Sequence, residues 1–128
     1  MPNDALPASP PLAFVVDDEP IIAFTLMMIL NKNSYEAVAF TEPLVALRAA
    51  EVRSPDLLIT DLAMPELNGI DLAIRFKAIC PLAKVLLFSG AHSTSDRIEE
   101  AKREGFEFPI LPKPVHPTEL LAMLKQLQ

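Results

Sequence analysis

The chain has 128 residues, of which 51% are hydrophobic, and its formal net charge at pH 7 is −6. This length suits a single domain with one hydrophobic core, and the apolar content excludes a disordered chain. The net negative charge argues against a nucleic-acid-binding surface, because such a surface needs clustered Lys and Arg.

The amino-terminal segment MPNDALPASPP contains four of the thirteen prolines. It predicts a flexible Pro-rich leader over residues 1–11, followed by one folded domain over residues 12–128. The leader has neither the basic residues nor the long apolar stretch of a secretory signal. The longest uncharged apolar segment, Ile21–Leu30, is shorter than the ~20 residues of a membrane helix. The single Cys80 cannot form an internal disulfide, which fits a reducing compartment. Together with the short apolar segments, this leads us to expect a cytoplasmic protein without membrane insertion.

Short apolar runs alternate with longer segments of helical spacing along the rest of the chain. Short continuous runs are typical of buried parallel strands, and proline is tolerated in the first turn of a helix. In chain order we predict strand Leu12–Val16, helix Pro20–Lys32, strand Ala37–Phe40, helix Pro43–Val52, strand Leu57–Thr60, helix Ile70–Ile79, strand Val85–Phe88, a helix from Ser95 or Asp96 to about Glu104, strand Phe108–Leu111 and helix Thr118–Leu127. This alternation predicts an α/β fold with helices on both faces of a parallel sheet.

Polar residues with distinctive chemistry come just after four of the predicted strands. Asp17 and Asp18 follow the first strand, Asp61 the third, Ser89 the fourth and Lys113 the fifth. In parallel α/β sheets, ligands bind at the carboxyl ends of the strands. The sequence therefore predicts that these side chains converge at one edge of the sheet.

Three carboxylates, a hydroxyl and an ammonium group suit phosphoryl transfer at a magnesium site. Hard oxygen ligands favour Mg²⁺, and an ionised Asp can attack phosphorus to form an aspartyl phosphate. Simpler interpretations exist for each residue taken singly. Asp17 and Asp18 could interact only with a helix dipole, Ser89 could end a strand in a turn, and Lys113 could be a solvated surface lysine.

The segments VVDDEP, PDLLITDLAMPELNGIDL, VLLFSG and LPKP occur together and in this order. With them, residues 12–128 resemble the receiver domain of the bacterial response-regulator family. The resemblance implies a doubly wound, flavodoxin-like sheet of strand order 2-1-3-4-5. It also implies a phosphorylation-activated switch of a two-component or phosphorelay system, rather than a turnover enzyme. The expected phosphodonor is a sensor histidine kinase or a histidine phosphotransfer protein, and the downstream effector is unknown.

The same resemblance implies a role for each matching residue. Asp61 is the expected phosphoacceptor, and Mg²⁺ is expected on Asp17, Asp18, Asp61 and the backbone carbonyl of Ala63. Ser89 and Lys113 are expected to contact the phosphoryl group, and Lys113–Pro114 is expected to be a cis peptide. Phosphorylation would then repack the fourth helix, fifth strand and fifth helix.

Two features depart from the family pattern. Many receivers carry Tyr or Phe three residues before the site lysine, whereas this chain has Ile110. Our hypothesis is that the aliphatic Ile110 acts as the switch residue; the alternative is output through another face.

The second departure is the first helix, which has no charge between Ile21 and Leu30. If one side of it faces the sheet, another apolar side is left outward. The residues expected inward are Ile22, Leu26 and Ile29, and those expected outward are Ala23, Phe24, Met27 and Met28. We interpret Phe24, Met27 and Met28 as a docking face for the kinase or for a homodimer partner. Deeper burial under the last helix or the leader is the alternative.

Two other functions are open to the same residues. A magnesium-dependent phosphatase of the haloacid-dehalogenase type would use Asp61 as nucleophile, but it usually needs a second Asp where this chain has Ala63. A pseudo-receiver would ignore phosphate, but its usual sign is the loss of site residues, and none is lost here. We expect a stand-alone, single-domain receiver resembling the chemotaxis regulators; the amino-terminal domain of a longer regulator is the alternative.

Overall fold

Five strands and five helices alternate along the described residues, 9–90 and 95–127, of a computed structural model. The elements are β1 Leu12–Val16, α1 Pro20–Asn31, β2 Glu36–Phe40, α2 Pro43–Val52, β3 Leu57–Asp61, α3 Gly69–Ile79, β4 Lys84–Ser89, α4 Ser95–Arg103, β5 Ile110–Pro112 and α5 Pro117–Leu127. Residues 1–8 of the predicted leader lie outside the described residues.

The strands form one parallel sheet in the order β2-β1-β3-β4-β5. Phe14 of β1 lies between Val38 of β2 and Leu58 of β3 in register. All residues of β1 and β3 are buried, because both strands are central and helices cover both faces. The predicted fold class and strand order are confirmed.

Successive side chains along the strands point to opposite faces of the sheet and pack into two separate hydrophobic cores. Phe14, Leu58 and Phe76 belong to the core on the side of α2, α3 and α4, where the rings of Phe14 and Phe76 meet edge to face at 6.0 Å. Val15 and Ile59 belong to the opposite core, under α1 and α5. Each fully buried Leu, Ile or Phe side chain contributes about 1.5–3 kcal/mol relative to an exposed one. The sheet is therefore stabilised from both faces.

The fifth strand is shorter than predicted and begins two residues later. It was expected over Phe108–Leu111 but is formed by Ile110–Pro112. Pro109 has no N–H to donate, although its carbonyl accepts a hydrogen bond from the Leu87 N–H at 3.0 Å. α4 begins at Ser95, and the residue that precedes it lies outside the described residues.

The orientation predicted for α1 was right for Phe24 and Met28, which are exposed, and for Leu26, which is buried, but wrong for Ala23 and Met27. Its fully buried side chains are Ala23, Leu26 and Leu30, so Ala23 faces the sheet and not the outside. Met27 is half-buried and packs against the core below α1 and α5. A helix that is apolar on all sides carries no clear signal of which side turns inward. The exposed apolar side chains of α1 are Ile21 at 82%, Phe24 at 49% and Met28 at 54%.

Gly69, the first residue of α3, lies directly against the end of β3. Its N–H donates to the Leu62 carbonyl at 2.7 Å. A Cβ atom built at Gly69 would lie 2.2 Å from the backbone oxygen of Asp61. The close approach of α3 to the end of β3 therefore requires glycine at this position.

We expect Gly69→Ala to lower the free energy of unfolding by about 1–3 kcal/mol, because two backbone segments must move apart to admit the methyl group. Urea denaturation of the two proteins measures the difference. Gly90→Ala is the matched control, since a Cβ there would meet no described atom within 4 Å. Equal losses in the two variants would contradict the steric explanation.

Candidate functional site

Three carboxylates meet where β1 and β3 end. Asp17, Asp18 and Asp61 each offer an oxygen, and these oxygens lie within 4.8 Å of one another. Asp17 is 0% exposed and Asp61 is 5% exposed, whereas Asp18 is exposed. The acidic cluster therefore has two buried members and one open to solvent.

Backbone hydrogen bonds fix the position of the acidic cluster. The Asp17 N–H donates to the Phe40 carbonyl at 3.1 Å, which extends the pairing of β1 with β2 by one residue. The Asp17 carboxylate accepts a hydrogen bond from the Glu19 N–H at 2.9 Å, just before α1 begins. Beyond Asp61, the Leu62 N–H donates to the Phe88 carbonyl at 2.9 Å. Asp17 and Asp61 are thus held by the ladder of the sheet itself.

Lys113, which follows β5, reaches into the acidic cluster. Its Nζ lies 3.1 Å from Asp61 Oδ1 and 3.4 Å from Asp17 Oδ2. The backbone N–H of Lys113 donates to the Ser89 carbonyl at 2.9 Å, so β4 and Lys113 are tied together. The Lys113–Pro114 peptide is cis, as expected.

For each of Asp17 and Lys113, burial and the neighbouring charge of opposite sign shift the pKa in opposite directions. Burial raises the pKa of Asp17, and the Glu19 hydrogen bond and the Lys113 charge offset only part of this effect. Burial alone would lower the pKa of Lys113, but the hydrogen bond to Asp61 and the charges of Asp17 and Asp61 raise it overall. Lys113 is therefore a permanent cation beside an anionic cluster whose charge it only partly balances.

The donor set fits a hard divalent cation. All the candidate ligand atoms are oxygens, and three carboxylates beside one ammonium group leave net negative charge. Mg²⁺ prefers such oxygens and keeps several waters, so an open member such as Asp18 suits it. The acidic cluster can thus bind a metal ion.

The other predicted site residues differ in burial and in their position in the fold. Ser89 is half-buried at the end of β4, in register with Pro112 of β5. Ala63 is exposed in the loop after β3. Ile110 lies beside Leu87 in the sheet and packs into the core below α3 and α4. The roles expected for Ala63, Ser89 and Ile110 remain predictions.

An ion pair between α3 and α4 was not predicted from the sequence. Arg97 of α4 donates to Asp71 of α3, and Asn68 caps α3 by accepting from the Asp71 N–H. The cap had a local signal, because Asn68 comes three residues before an acidic residue at a helix start. The Arg97 contact had none, since its partner lies 26 residues away.

Comparison with known proteins identifies the family. A family model described as the response regulator receiver domain matches residues 13–125. The chain belongs to this family. The chain is thus a receiver domain of two-component response regulators. The recognition made from the four sequence segments is confirmed.

Relatives of this receiver domain include regulators of transcription. The chain is 31% identical over 114 residues to the transcriptional regulatory protein KdpE of Mycobacterium tuberculosis, covering 89% of this chain and 49% of KdpE. It is 31% identical over 113 residues to the DNA-binding transcriptional regulator NtrC of Proteus hauseri, covering 88% of this chain and 24% of NtrC. The chain therefore spans about a quarter to a half of the length of these curated relatives.

A solved receiver domain has the same fold over nearly its whole length. The response regulator receiver domain from Clostridium thermocellum superposes with a TM-score of 0.79 at 29% identity, covering 91% of this chain and 93% of that one.

Among the described residues, no helix has the length and apolar character needed to cross a membrane.

We expect Asp17→Asn to raise the free energy of unfolding at pH 7 in metal-free buffer. Because folding raises the pKa of Asp17, its ionised form destabilises the native state once the pH exceeds the ordinary value of 3.8. The advantage of the variant should shrink as the pH falls toward that value. Urea denaturation at several pH values measures both effects.

Magnesium provides the control for this prediction. Added Mg²⁺ should stabilise the wild-type domain more than Asp17→Asn, since only the wild type keeps all three carboxylates. A variant less stable than the wild type at pH 7, or a difference independent of pH, would contradict the assigned cause.

Proposed function

We propose that Asp61 takes a phosphoryl group from a phosphohistidine on a sensor kinase or phosphotransfer protein, in a Mg²⁺-dependent reaction. The observation that carries this proposal is the position of Lys113 Nζ, 3.1 Å from Asp61 and 3.4 Å from Asp17. Lys113 places a positive charge beside Asp61, where it can stabilise a phosphoryl group once a divalent cation has neutralised the excess charge of the carboxylates. The proposed ligands of Mg²⁺ are Asp17, Asp18, Asp61 and the Ala63 carbonyl.

In the proposed reaction, a carboxylate oxygen of Asp61 attacks phosphorus while the phosphorus–nitrogen bond of the phosphohistidine breaks. The imidazole leaves with the bonding electron pair and takes up a proton. Bound Mg²⁺ would neutralise charge on the phosphoryl oxygens. Lys113 would exchange its contact with Asp61 for one with a phosphoryl oxygen, and the Ser89 hydroxyl would donate a second hydrogen bond. Positioning by the sheet supplies most of what such a transfer needs.

The switch would follow from the charge added at Asp61. An acyl phosphate brings about two negative charges and strong acceptors, which draw Lys113 and Ser89 toward it. Lys113 and Ser89 share a backbone hydrogen bond, and Leu87 and Ile110 are neighbours in register. Movement at the ends of β4 and β5 would therefore reach Ile110 and the core under α4. Repacking of α4, β5 and α5 would change the affinity for an effector.

Incubation with acetyl phosphate and Mg²⁺ tests the proposed phosphoacceptor. Intact mass should rise by about 80 Da for the wild type, whereas Asp61→Asn and the metal-free reaction should show no gain. Asp96→Asn, a matched change at an exposed position of α4, should keep the gain.

The same samples separate the switch from an enzyme. We propose that the domain catalyses only its own phosphorylation and dephosphorylation, because position 63 has no side-chain acid. Steady turnover of p-nitrophenyl phosphate by the wild type would favour a phosphatase. A mass gain retained in Asp61→Asn would reject Asp61 as the acceptor.

We also propose that the exposed side of α1 receives the phosphodonor. Phe24 and Met28 are half-exposed, lie four residues apart and therefore share one side of the helix. α1 starts three residues after Asp17, so its first turn follows directly on the acidic cluster. Met27, originally included in the docking face, is half-buried against the core and contributes less. Self-association through the same side is the alternative.

Phe24→Asp should slow transfer from the first histidine kinase or phosphotransfer protein found to phosphorylate the wild type, by about tenfold or more. Loss of an aromatic anchor and burial of a charge both weaken such a contact. Phosphorylation by acetyl phosphate should stay unchanged, because this small donor needs no docking. Leu82→Asp, at a 90% exposed position outside α1, is the matched control. Equal transfer rates in all three proteins, together with an unchanged molecular mass in solution, would reject the docking face.

A further inference from the structure

α4 is attached to the domain by little apolar packing. Within its described side chains, residues 96–103, Ala101 is the only one that is fully buried, and Ile98 is half-buried. By contrast, α1 buries Ala23, Leu26 and Leu30. Elements with few buried apolar contacts open at low free-energy cost. The position of α4 therefore depends more on its polar contacts than that of α1 does.

The strongest of those contacts joins α4 to the start of α3. Arg97 donates through Nε and Nη2 to Asp71 Oδ1, at 3.1 and 2.5 Å. The other oxygen of Asp71 accepts from Asn68 Nδ2 at 2.7 Å, and Asn68 in turn caps α3. Both Asp71 oxygens are therefore engaged. The hydrogen bond from Arg97 lowers the pKa of Asp71, which keeps the carboxylate ionised at neutral pH.

Arg97 also has alternative partners on its own side of the contact. Its Nη1 lies 3.0 Å from Glu100 and 3.6 Å from Glu104. If α4 moved away from α3, Arg97 would lose Asp71 but keep these two carboxylates. Release therefore does not leave an unpaired guanidinium, and two positions of α4 can differ little in free energy.

We propose that the Arg97–Asp71 ion pair is a latch that holds α4 in its resting position, and that phosphorylation works against this latch. The proposal rests on the proposed function, in which Ser89 is drawn toward Asp61. α4 is the next element after Ser89, whereas Asp71 stands on α3, which follows the loop after Asp61. Leu87 of β4 lies in the same core as Ala101 of α4, and Ile98 of α4 packs against that core, so movement at the end of β4 would shift α4 relative to α3, across this ion pair. Weakening the latch should favour the activated position before any phosphoryl group is bound.

Asp71→Asn tests the latch, because asparagine keeps the shape of the side chain, removes its charge and replaces one acceptor oxygen by an amide donor, so it cannot accept from both Arg97 and Asn68. Amide hydrogen exchange in α4 should become about two- to fivefold faster, as expected for loss of a partly exposed ion pair. Exchange in β1 and β3 should stay unchanged. The affinity for beryllofluoride with Mg²⁺, a mimic of the phosphoryl group, should rise by a similar factor, whereas a purely structural loss would lower it.

Two further variants distinguish the latch from a general charge effect. Glu100→Gln removes the same charge but leaves the Asp71 contact, so exchange in α4 should be no faster than in the wild type. Arg97→Gln should resemble Asp71→Asn, and the double variant Asp71→Asn with Arg97→Gln should add little to either single change. Additive effects would overturn the proposal.

The two measurements fail independently. Unchanged exchange in Asp71→Asn overturns the latch whether or not the domain binds a phosphoryl mimic. Faster exchange with unchanged or weaker beryllofluoride binding overturns the coupling to phosphorylation. A wild-type domain that ignores beryllofluoride and Mg²⁺ contradicts the proposed function itself, and the exchange comparison still decides whether the ion pair holds α4.

Discussion

The arrangement depends on one electrostatic constraint, which is that Lys113 and three aspartates share a mostly buried space at the edge of the sheet. Lys113 Nζ contacts both Asp17 and Asp61, yet a single positive charge cannot balance the cluster. Burial raises the pKa of Asp17, so this group lowers the stability of the metal-free fold at neutral pH. A divalent cation bound by the three carboxylates would offset their repulsion, and its binding would raise the free energy of unfolding of the domain.

The sheet connects this constraint to the rest of the domain. Asp17 and Asp61 stand on the ends of central strands, and Lys113 is joined to Ser89 by a backbone hydrogen bond. The strands keep the charged groups in place, while α4 buries little apolar surface and, in the proposed latch, is held by the ion pair between Arg97 and Asp71. This division between a fixed site and a loosely attached helix is what a two-position switch requires.

Much of this could be predicted from the sequence because the signals are local or follow from topology. The first four strands are continuous apolar runs, and Asp17, Asp61 and Lys113 follow strand ends that a parallel sheet brings together. Ala23 and Met27 of α1 were placed on the wrong side, since a helix that is apolar on every side carries little signal of which residues turn inward. The start of β5 was misplaced because Pro109 interrupts the pattern of hydrogen-bond donors. The contact between Arg97 and Asp71 joins two helices, and neither helix has a local sequence pattern that predicts it.

Nuclear magnetic resonance of the backbone amides, with Mg²⁺ added first and beryllofluoride second, is the decisive measurement for a metal-dependent phosphoryl site. We expect Mg²⁺ to shift the resonances of Asp17, Asp18 and Asp61. Beryllofluoride should then shift those of Ser89 and Lys113 and the amides of α4. Resonances that do not respond to either addition, or a response to beryllofluoride without Mg²⁺, would contradict a metal-dependent phosphoryl site at Asp61.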